Sequence, residues 1–104
     1  METIEQLEEK FVYSATQHGL AMQEGGGRKA NRWHKQILML SGKFEENGCK
    51  DRLKKFLCHE NEYVRLWAAC LSIKTYPQES RKVLKLLMKS TDPYVYISAR
   101  AILE

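Results

Sequence analysis

The chain has 104 residues, of which 43% are hydrophobic and 29% charged, which suits one globular domain with one modest core. Its formal net charge is +4, but residues 1–27 carry −4 and residues 28–104 carry +8, so its surface can attract partners of either sign at different places. The longest apolar runs, such as residues 67–71, are far too short to cross a bilayer, which excludes a membrane-spanning segment.

The first residues and the cysteines indicate a compartment. The acidic start of the chain lacks the apolar stretch of a secretory signal peptide. Cys49, Cys58 and Cys70 are odd in number and have no CxxC spacing, which is typical of reduced thiols and not of a disulfide scaffold. We therefore predict a cytoplasmic protein.

A long first helix is predicted at the start of the chain. Thr3 and Gln6 have the spacing of a capping box, in which each side chain bonds the backbone N–H of the other residue. The helix then runs over about residues 4–21. The three glycines 25–27 end it, because glycine holds a helix poorly.

A second long helix is predicted to begin near Arg28 and to end at residues 47–48, an Asn-Gly pair that tolerates the left-handed conformation of a helix end. Gly42 inside it indicates either a weak point or a site of close packing. Its apolar residues recur at helical spacing and predict the buried stripe Ala30, Trp33, Ile37, Leu40 and Phe44.

Four shorter helices are predicted in the second half. The third covers about residues 50–58, Asn61 caps the fourth, Pro77 lies in the first turn of the fifth, and Asp92 caps the sixth. Their predicted core positions are Leu53, Phe56, Leu57, Val64, Ala68, Leu71, Val83, Leu84, Leu87, Met88, Val95, Ala99 and Ile102.

An internal repeat relates the last four helices. Residues 53–71 return 31 positions later as residues 84–102, with Leu53-Lys54, Tyr63-Val64 and Ala68 repeated as Leu84-Lys85, Tyr94-Val95 and Ala99. A fixed period in the thirties is typical of stacked helix pairs, which present surfaces to partners. We predict an all-α fold of six helices: a right-handed stack of three antiparallel pairs, at about residues 3–47, 49–74 and 77–104, in one domain of residues 1–104.

The segment Asn61-Glu-Tyr-Val-Arg-Leu-Trp-Ala-Ala69 resembles the second helix of a HEAT repeat. A wider order of motifs is similar to a small bacterial family of HEAT-like domains: Phe11 to Ala21, Ala30-Asn-Arg-Trp33, Leu57-Cys-His59, residues 61–69 and Pro77. Relatives of this kind occur beside secreted polymorphic toxins, so the resemblance implies an immunity protein. The third pair departs from the pattern, because Tyr96 stands where Arg65 would repeat and Arg100 where Ala69 would.

Catalytic motifs are weak. His18, His34 and His59 include no HExxH pair, and adjacent Cys58 and His59 point apart on a helix. A Cys–His nucleophile pair assembled from distant positions stays open, although ordinary helix-end residues are the preferred interpretation. Residues 25–29 lack the spacing of a phosphate loop and are interpreted as a turn. We predict no enzymatic activity, no metal and no cofactor.

Aromatic and arginine side chains are the first candidates for contact with a partner protein. Tyr63, Trp67 and Tyr96 belong to a residue class that is enriched at binding hot spots. Packing between helix pairs explains Tyr63 equally well, whereas Tyr96 breaks the repeat. For Arg65 the preferred interpretation is structural, a bond to an acid or carbonyl of the neighbouring repeat. Arg100, which also departs from the repeat, is the last candidate of this group for contact with a partner protein.

Acidic residues of the first helix offer another candidate surface. Glu2, Glu5 and Glu9 share one side, with Glu8 nearby. Acids near a helix N-terminus stabilise the helix, which is the structural explanation. The functional hypothesis is a carboxylate cluster, with Glu5 and Glu9 at its centre, that occupies the cationic cleft of a nuclease toxin.

Basic residues form two stripes at helical spacing, Lys50 with Lys54 in the third helix and Arg81, Lys85 and Lys89 in the fifth. A solvated lysine-rich face is the preferred interpretation, and a site for phosphate or an acidic protein is the functional one. Nucleic-acid binding would need aromatics for stacking between the cations, and only Phe56 is present there.

The sequence thus leads to two main functional hypotheses, and a subunit adaptor is a third option. The first is a non-catalytic, protein-binding immunity protein that occludes a cognate toxin, for example a nuclease domain. The alternative is a HEAT-like nucleic-acid-binding domain that uses the basic stripes of the third and fifth helices.

Overall fold

The computed structural model describes residues 2–104, and six helices joined by short turns and loops make up this range. The helices are α1 (Ile4–Gln23), α2 (Arg28–Glu46), a 3₁₀ helix (Lys50–Cys58), α3 (Glu62–Ser72), α4 (Pro77–Leu87) and α5 (Pro93–Leu103). No strand occurs among the described residues, so the prediction of an all-α chain with six helices is confirmed. The chain divides into two compact units, one that ends at Arg52 and one that spans Leu53–Glu104.

In the first unit, α1 and α2 form an antiparallel hairpin. The predicted capping box is present, because Gln6 N donates to Thr3 Oγ1 (3.1 Å) and Thr3 N donates to Gln6 Oε1 (2.9 Å). The core of the hairpin consists of the buried apolar residues Leu7, Phe11, Ala15, Ile37, Leu40 and Phe44. Trp33, predicted in the buried stripe of α2, is only half-buried.

The turn between α1 and α2 depends on glycine. Gly25, Gly26 and Gly27 have φ values of +115°, +76° and +78°, in the region that side chains with a Cβ rarely adopt. The prediction that they separate the two helices is confirmed. Gly42 has a different environment: a Cβ there would have no atom within 4 Å, so of the two interpretations of this glycine close packing is excluded.

The predicted third helix is present with the predicted bounds, but it is a 3₁₀ helix. Leu53 and Phe56 are buried and lie three residues apart. In a helix with three residues per turn, such a pair shares one edge, so this apolar spacing suits the tighter helix.

In the second unit, α3, α4 and α5 pack on one another. Asn61 and Asp92, equivalent in the 31-residue repeat, cap α3 and α5 in the same way: each carboxyl or amide oxygen accepts the N–H groups two and three residues on. The repeated core is also buried in both copies, at Leu53, Leu84, Val64, Val95, Ala68 and Ala99.

Four predicted core positions of this unit are less buried than expected. Met88 is 37% exposed, because α4 ends at Leu87 and Met88 follows as its C-terminal cap. Leu71, Val83 and Ile102 are half-buried.

Candidate functional site

Fewer carboxylates are exposed and unpaired along α1 than the sequence indicates. Glu2 forms ion pairs with Lys10 and with Lys43 (2.9 Å), and hydrogen bonds from these two lysines lower the pKa of its carboxyl to about 2. Glu8 is buried. Glu5 and Glu9 are exposed, and they are what remains of the predicted carboxylate cluster.

A groove of about 660 Å³ lies on the surface of the α1–α2 hairpin. Tyr13 and Trp33 form part of its wall and meet edge to face, with ring centroids 5.6 Å apart. Polar side chains complete the lining, namely Glu2, Gln6, Glu9, Lys10, Ser14 and Gln36. Tyr13 and Trp33 are not among the predicted site residues, and Trp33 fits the apolar period of the buried stripe of α2.

A second groove of about 520 Å³ lies on α2 and is cationic. It is lined by Arg28, Arg32 and Lys35 together with Asn31, Gln36 and Met39. The predicted basic stripes do not include this surface, because its cations alternate with the apolar residues that predict the buried stripe of α2. The available signal was the spacing i, i+4, i+7 of these cations in a stretch, residues 28–44, that contains no acid.

Two aromatic residues predicted to contact a partner, Tyr63 and Trp67, are buried. Burial is the main reason that the pKa of Tyr63 is raised, and its hydrogen bond to Asp92 adds to the effect. The prediction of partner contact at these two positions is therefore corrected: their side chains belong to the core, as the packing interpretation of Tyr63 proposed.

Tyr63 and Asp92 join the starts of α3 and α5. The Tyr63 hydroxyl donates to both carboxylate oxygens of Asp92, at 3.0 and 2.9 Å, and its ring stacks on Tyr94 with centroids 5.8 Å apart. A second link runs beside it, because Ser90 donates to Glu62 (2.8 Å) and accepts from Asp92 N (3.0 Å). These contacts connect the two repeat copies through polar groups.

Arg65 has the structural role that was preferred for it. Its Nη1 donates to the carbonyl of His59 (3.1 Å), and its Nη2 lies 4.0 Å from Glu62. The carbonyl belongs to the loop before α3 and not to a neighbouring repeat, which corrects that detail. His59 Nδ1 in turn accepts the N–H of Asn61 (3.0 Å), so both side chains hold this loop.

The basic stripes differ from each other. Lys50 is half-buried, and Lys54 lies 3.8 Å from Glu79 with its ammonium 4.7 Å from the Tyr76 ring. In the fifth predicted helix, α4, and just after it, the stripe residues Arg81, Lys85 and Lys89 are all exposed. Of the two lysines predicted as the stripe of the third helix, Lys54 is thus paired with a carboxylate of the same chain.

The outer face of α5 carries the last two predicted contacts. Tyr96 and Arg100 are exposed, and Arg100 Nε lies 3.5 Å from Glu104. Ile97, about one turn before Arg100 on the same helix, is 58% exposed. Its repeat equivalent, Leu66 in α3, is 3% exposed. The two copies of the repeat therefore differ most clearly at this apolar position.

Two further groups of side chains are the three cysteine thiols, which are free, and the residue types that bind metal ions. Cys49, Cys58 and Cys70 are free thiols, and burial raises the pKa of Cys70, which disfavours its nucleophilic thiolate form. Across residues 2–104 no three His, Cys, Asp or Glu side chains are grouped in a way that would hold a metal ion. No helix in that range is long and apolar enough to cross a membrane.

His18 is a buried titratable group in the hairpin. Its ring meets that of His34 edge to face, with centroids 6.0 Å apart. Burial, and then the charge of His34, lower the pKa of His18 to about 4 from its ordinary value of 6.5. The neutral form of His18 is therefore the one that fits the folded state.

We expect this burial to make the fold acid-sensitive. Because the folded-state pKa is the lower one, the unfolded chain binds the proton first as the pH falls. The contribution of neutral His18 to the free energy of unfolding is complete above pH 6.5 and is lost as the pH falls toward 4. Urea unfolding should show a loss on the order of 2 kcal/mol between pH 7 and about 4.5, and His18→Gln should flatten this dependence. An equal pH dependence in the variant would contradict the assignment to His18.

No family model matches the chain, and neither a curated protein nor a solved structure matches it.

Proposed function

We propose that the chain is a non-catalytic protein-binding module, an immunity protein that binds a cognate bacterial toxin in the cytoplasm and occludes its active site or substrate cleft. In this proposal its helices form a HEAT-like, right-handed stack of pairs. The shared caps at Asn61 and Asp92 and the shared burial of the repeated core support the stack. The resemblance of residues 61–69 to a HEAT repeat supports the family.

One observation carries the protein-binding function: the contrast between Leu66 and Ile97. Both occupy the same position of the 31-residue repeat, yet Leu66 is buried and Ile97 is 58% exposed. Ile97 is thus an apolar side chain that stays exposed at a position that is buried in the other copy of the repeat. Such a side chain indicates a face suited to contact with another protein. Ala101, one turn further along α5, is also exposed and extends this face.

The neighbours of Ile97 have the chemistry of a binding hot spot. Tyr96 and Arg100 are exposed on the same helix, with Arg100 about one turn after Ile97, and tyrosine and arginine are enriched among the residues that dominate binding energy. Arg100 already lies near Glu104, so a carboxylate of the partner can add to or replace that exposed pair. The complementary surface is therefore an apolar pocket for Ile97 with an acidic rim.

The test pairs the chain with a toxin domain encoded beside it. Growth protection in cells that express the toxin, and calorimetric titration of the two purified proteins, measure the same interaction. We expect tight binding that Ile97→Asp weakens at least 30-fold, which corresponds to a hot spot of about 2 kcal/mol. Growth protection should be lost in parallel.

Leu20→Asp is the matched control. Like Ile97, Leu20 is an exposed branched aliphatic residue, but it lies on a different helix, α1. This substitution should change the dissociation constant less than about threefold. Equal effects of the two variants would place the contact elsewhere. A chain that neither binds nor protects against its neighbour's product would refute the immunity function.

A further inference from the structure

The outward face of α2 carries a line of exposed cations. Arg28, Arg32 and Lys35 follow one another at i, i+4 and i+7, so their side chains share one side of the helix. Together with the carboxamides of Asn31 and Gln36 they line the groove of about 520 Å³ described above. All five side chains offer N–H donors, and none carries a negative charge.

These charges are not neutralised within the part of the chain that the structure describes. Arg28 and Lys35 form no ion pair with any of residues 2–104, and Arg32 contacts the Trp33 ring, with its Cζ 5.7 Å from the centroid. Like charges at these spacings destabilise a helix by a few tenths of a kcal/mol per pair. A bound anion would remove that repulsion.

An aromatic platform adjoins the cations. Tyr13 is 58% exposed and meets Trp33 edge to face, and Trp33 carries the guanidinium of Arg32 over its ring. Gln36 lines both the cationic groove and the groove that contains the two aromatics, so the two grooves form one continuous surface. A cationic track beside an exposed ring is the arrangement that binds single-stranded nucleic acids.

We propose that this surface of the α1–α2 hairpin binds single-stranded nucleic acid, with phosphates on Arg28, Arg32 and Lys35 and an unpaired base on Tyr13. Seven residues of helix span ~10 Å, which matches about three stacked nucleotides at ~3.4 Å each. A duplex keeps its bases paired and cannot stack one on Tyr13. The inference goes beyond the proposed function and does not depend on it, since the toxin contact was assigned to α5.

An acidic protein segment is the competing occupant, because arginine forks fit carboxylates as well as phosphates. That occupant would use the cations and leave the exposed ring of Tyr13 without a role. Glu9, which lines the aromatic groove, disfavours any anion at that end, so the phosphates belong at the α2 end.

The experiment is fluorescence anisotropy with fluorescein-labelled single-stranded dodecamers, oligouridylate and oligothymidylate, at NaCl concentrations from about 50 to 200 mM. Three neutralised phosphates predict that the logarithm of the association constant falls with the logarithm of salt with a slope of about −2. Arg32→Glu should weaken binding at least tenfold, and Tyr13→Ala at least about fivefold, the loss of one stacked base. Circular dichroism verifies that each variant is folded.

Lys85→Glu is the matched control, since Lys85 is an exposed cation on α4 outside this surface. It should change the affinity less than about twofold, and Glu9→Gln should leave binding unchanged or strengthen it. The proposal is overturned if the dodecamers do not bind, if binding is insensitive to salt, or if Lys85→Glu is as harmful as Arg32→Glu. Equal binding of a duplex dodecamer, or equal displacement by polyglutamate, would also overturn it.

Discussion

Phe44→Ala is expected to lower the free energy of unfolding by about 3–5 kcal/mol, the largest effect of any single substitution considered for this chain. The Phe44 side chain is 0% exposed and meets Phe11 edge to face, with centroids 6.5 Å apart and ring planes at 89°. Truncation removes this buried area and leaves a cavity that α1 and α2 fill only partly. Urea unfolding followed by circular dichroism measures the loss.

Leu38→Ala is the matched control for Phe44→Ala. Leu38 lies on the same helix, α2, but its side chain is 50% exposed, so it should change the free energy of unfolding by less than about 0.5 kcal/mol. The comparison separates core packing from helix propensity, because both substitutions introduce the same residue into α2. Similar losses for the two variants would show that Phe44 is not a core residue of the hairpin.

Asp92→Ala is expected to cost about 2–3 kcal/mol, because it removes two functions of one carboxylate. The carboxylate caps α5 by accepting from the N–H groups of Tyr94 (3.0 Å) and Val95 (3.3 Å), and a lost cap costs about 1 kcal/mol. It also accepts the hydroxyl of buried Tyr63, and the loss of that acceptor adds about 1–2 kcal/mol.

Asn61→Ala provides the comparison, because Asn61 caps α3 with the same geometry and should cost only about 1 kcal/mol. A double-mutant cycle isolates the second function of Asp92. In a Tyr63→Phe background, Asp92→Ala should cost about 1 kcal/mol, so the coupling is on the order of 1–2 kcal/mol. A coupling of zero would mean that the tyrosine bond contributes nothing to stability.

Features encoded by neighbouring residues were predicted well. The capping box at Thr3, the caps at Asn61 and Asp92 and the glycine turn each depend on a few adjacent residues and on backbone chemistry. Their bonds in the structure are the ones that the spacing indicates. The all-α composition follows from the same local rules.

Features that depend on the surroundings of a helix were predicted poorly. The periodicity of α3 and α5 is the same, so it cannot show that Leu66 is buried while Ile97 is exposed. The partner of the buried Tyr63 hydroxyl is Asp92, which is 29 residues away and cannot be identified from local spacing. The sequence does not predict the cationic groove of α2 for another reason, because its cations alternate with the residues of an apolar stripe that is itself explained by core packing.

The tyrosine–aspartate contact also couples the opening of two helix ends in the second unit. Helix ends usually fray from both sides, because their terminal backbone groups have few partners. In α5 the first turn is held by a carboxylate that is itself bound to α3, whereas the last turn carries an exposed arginine–glutamate pair and two half-buried apolar side chains, Ile102 and Leu103. The first turn of α5 is therefore released only together with the start of α3.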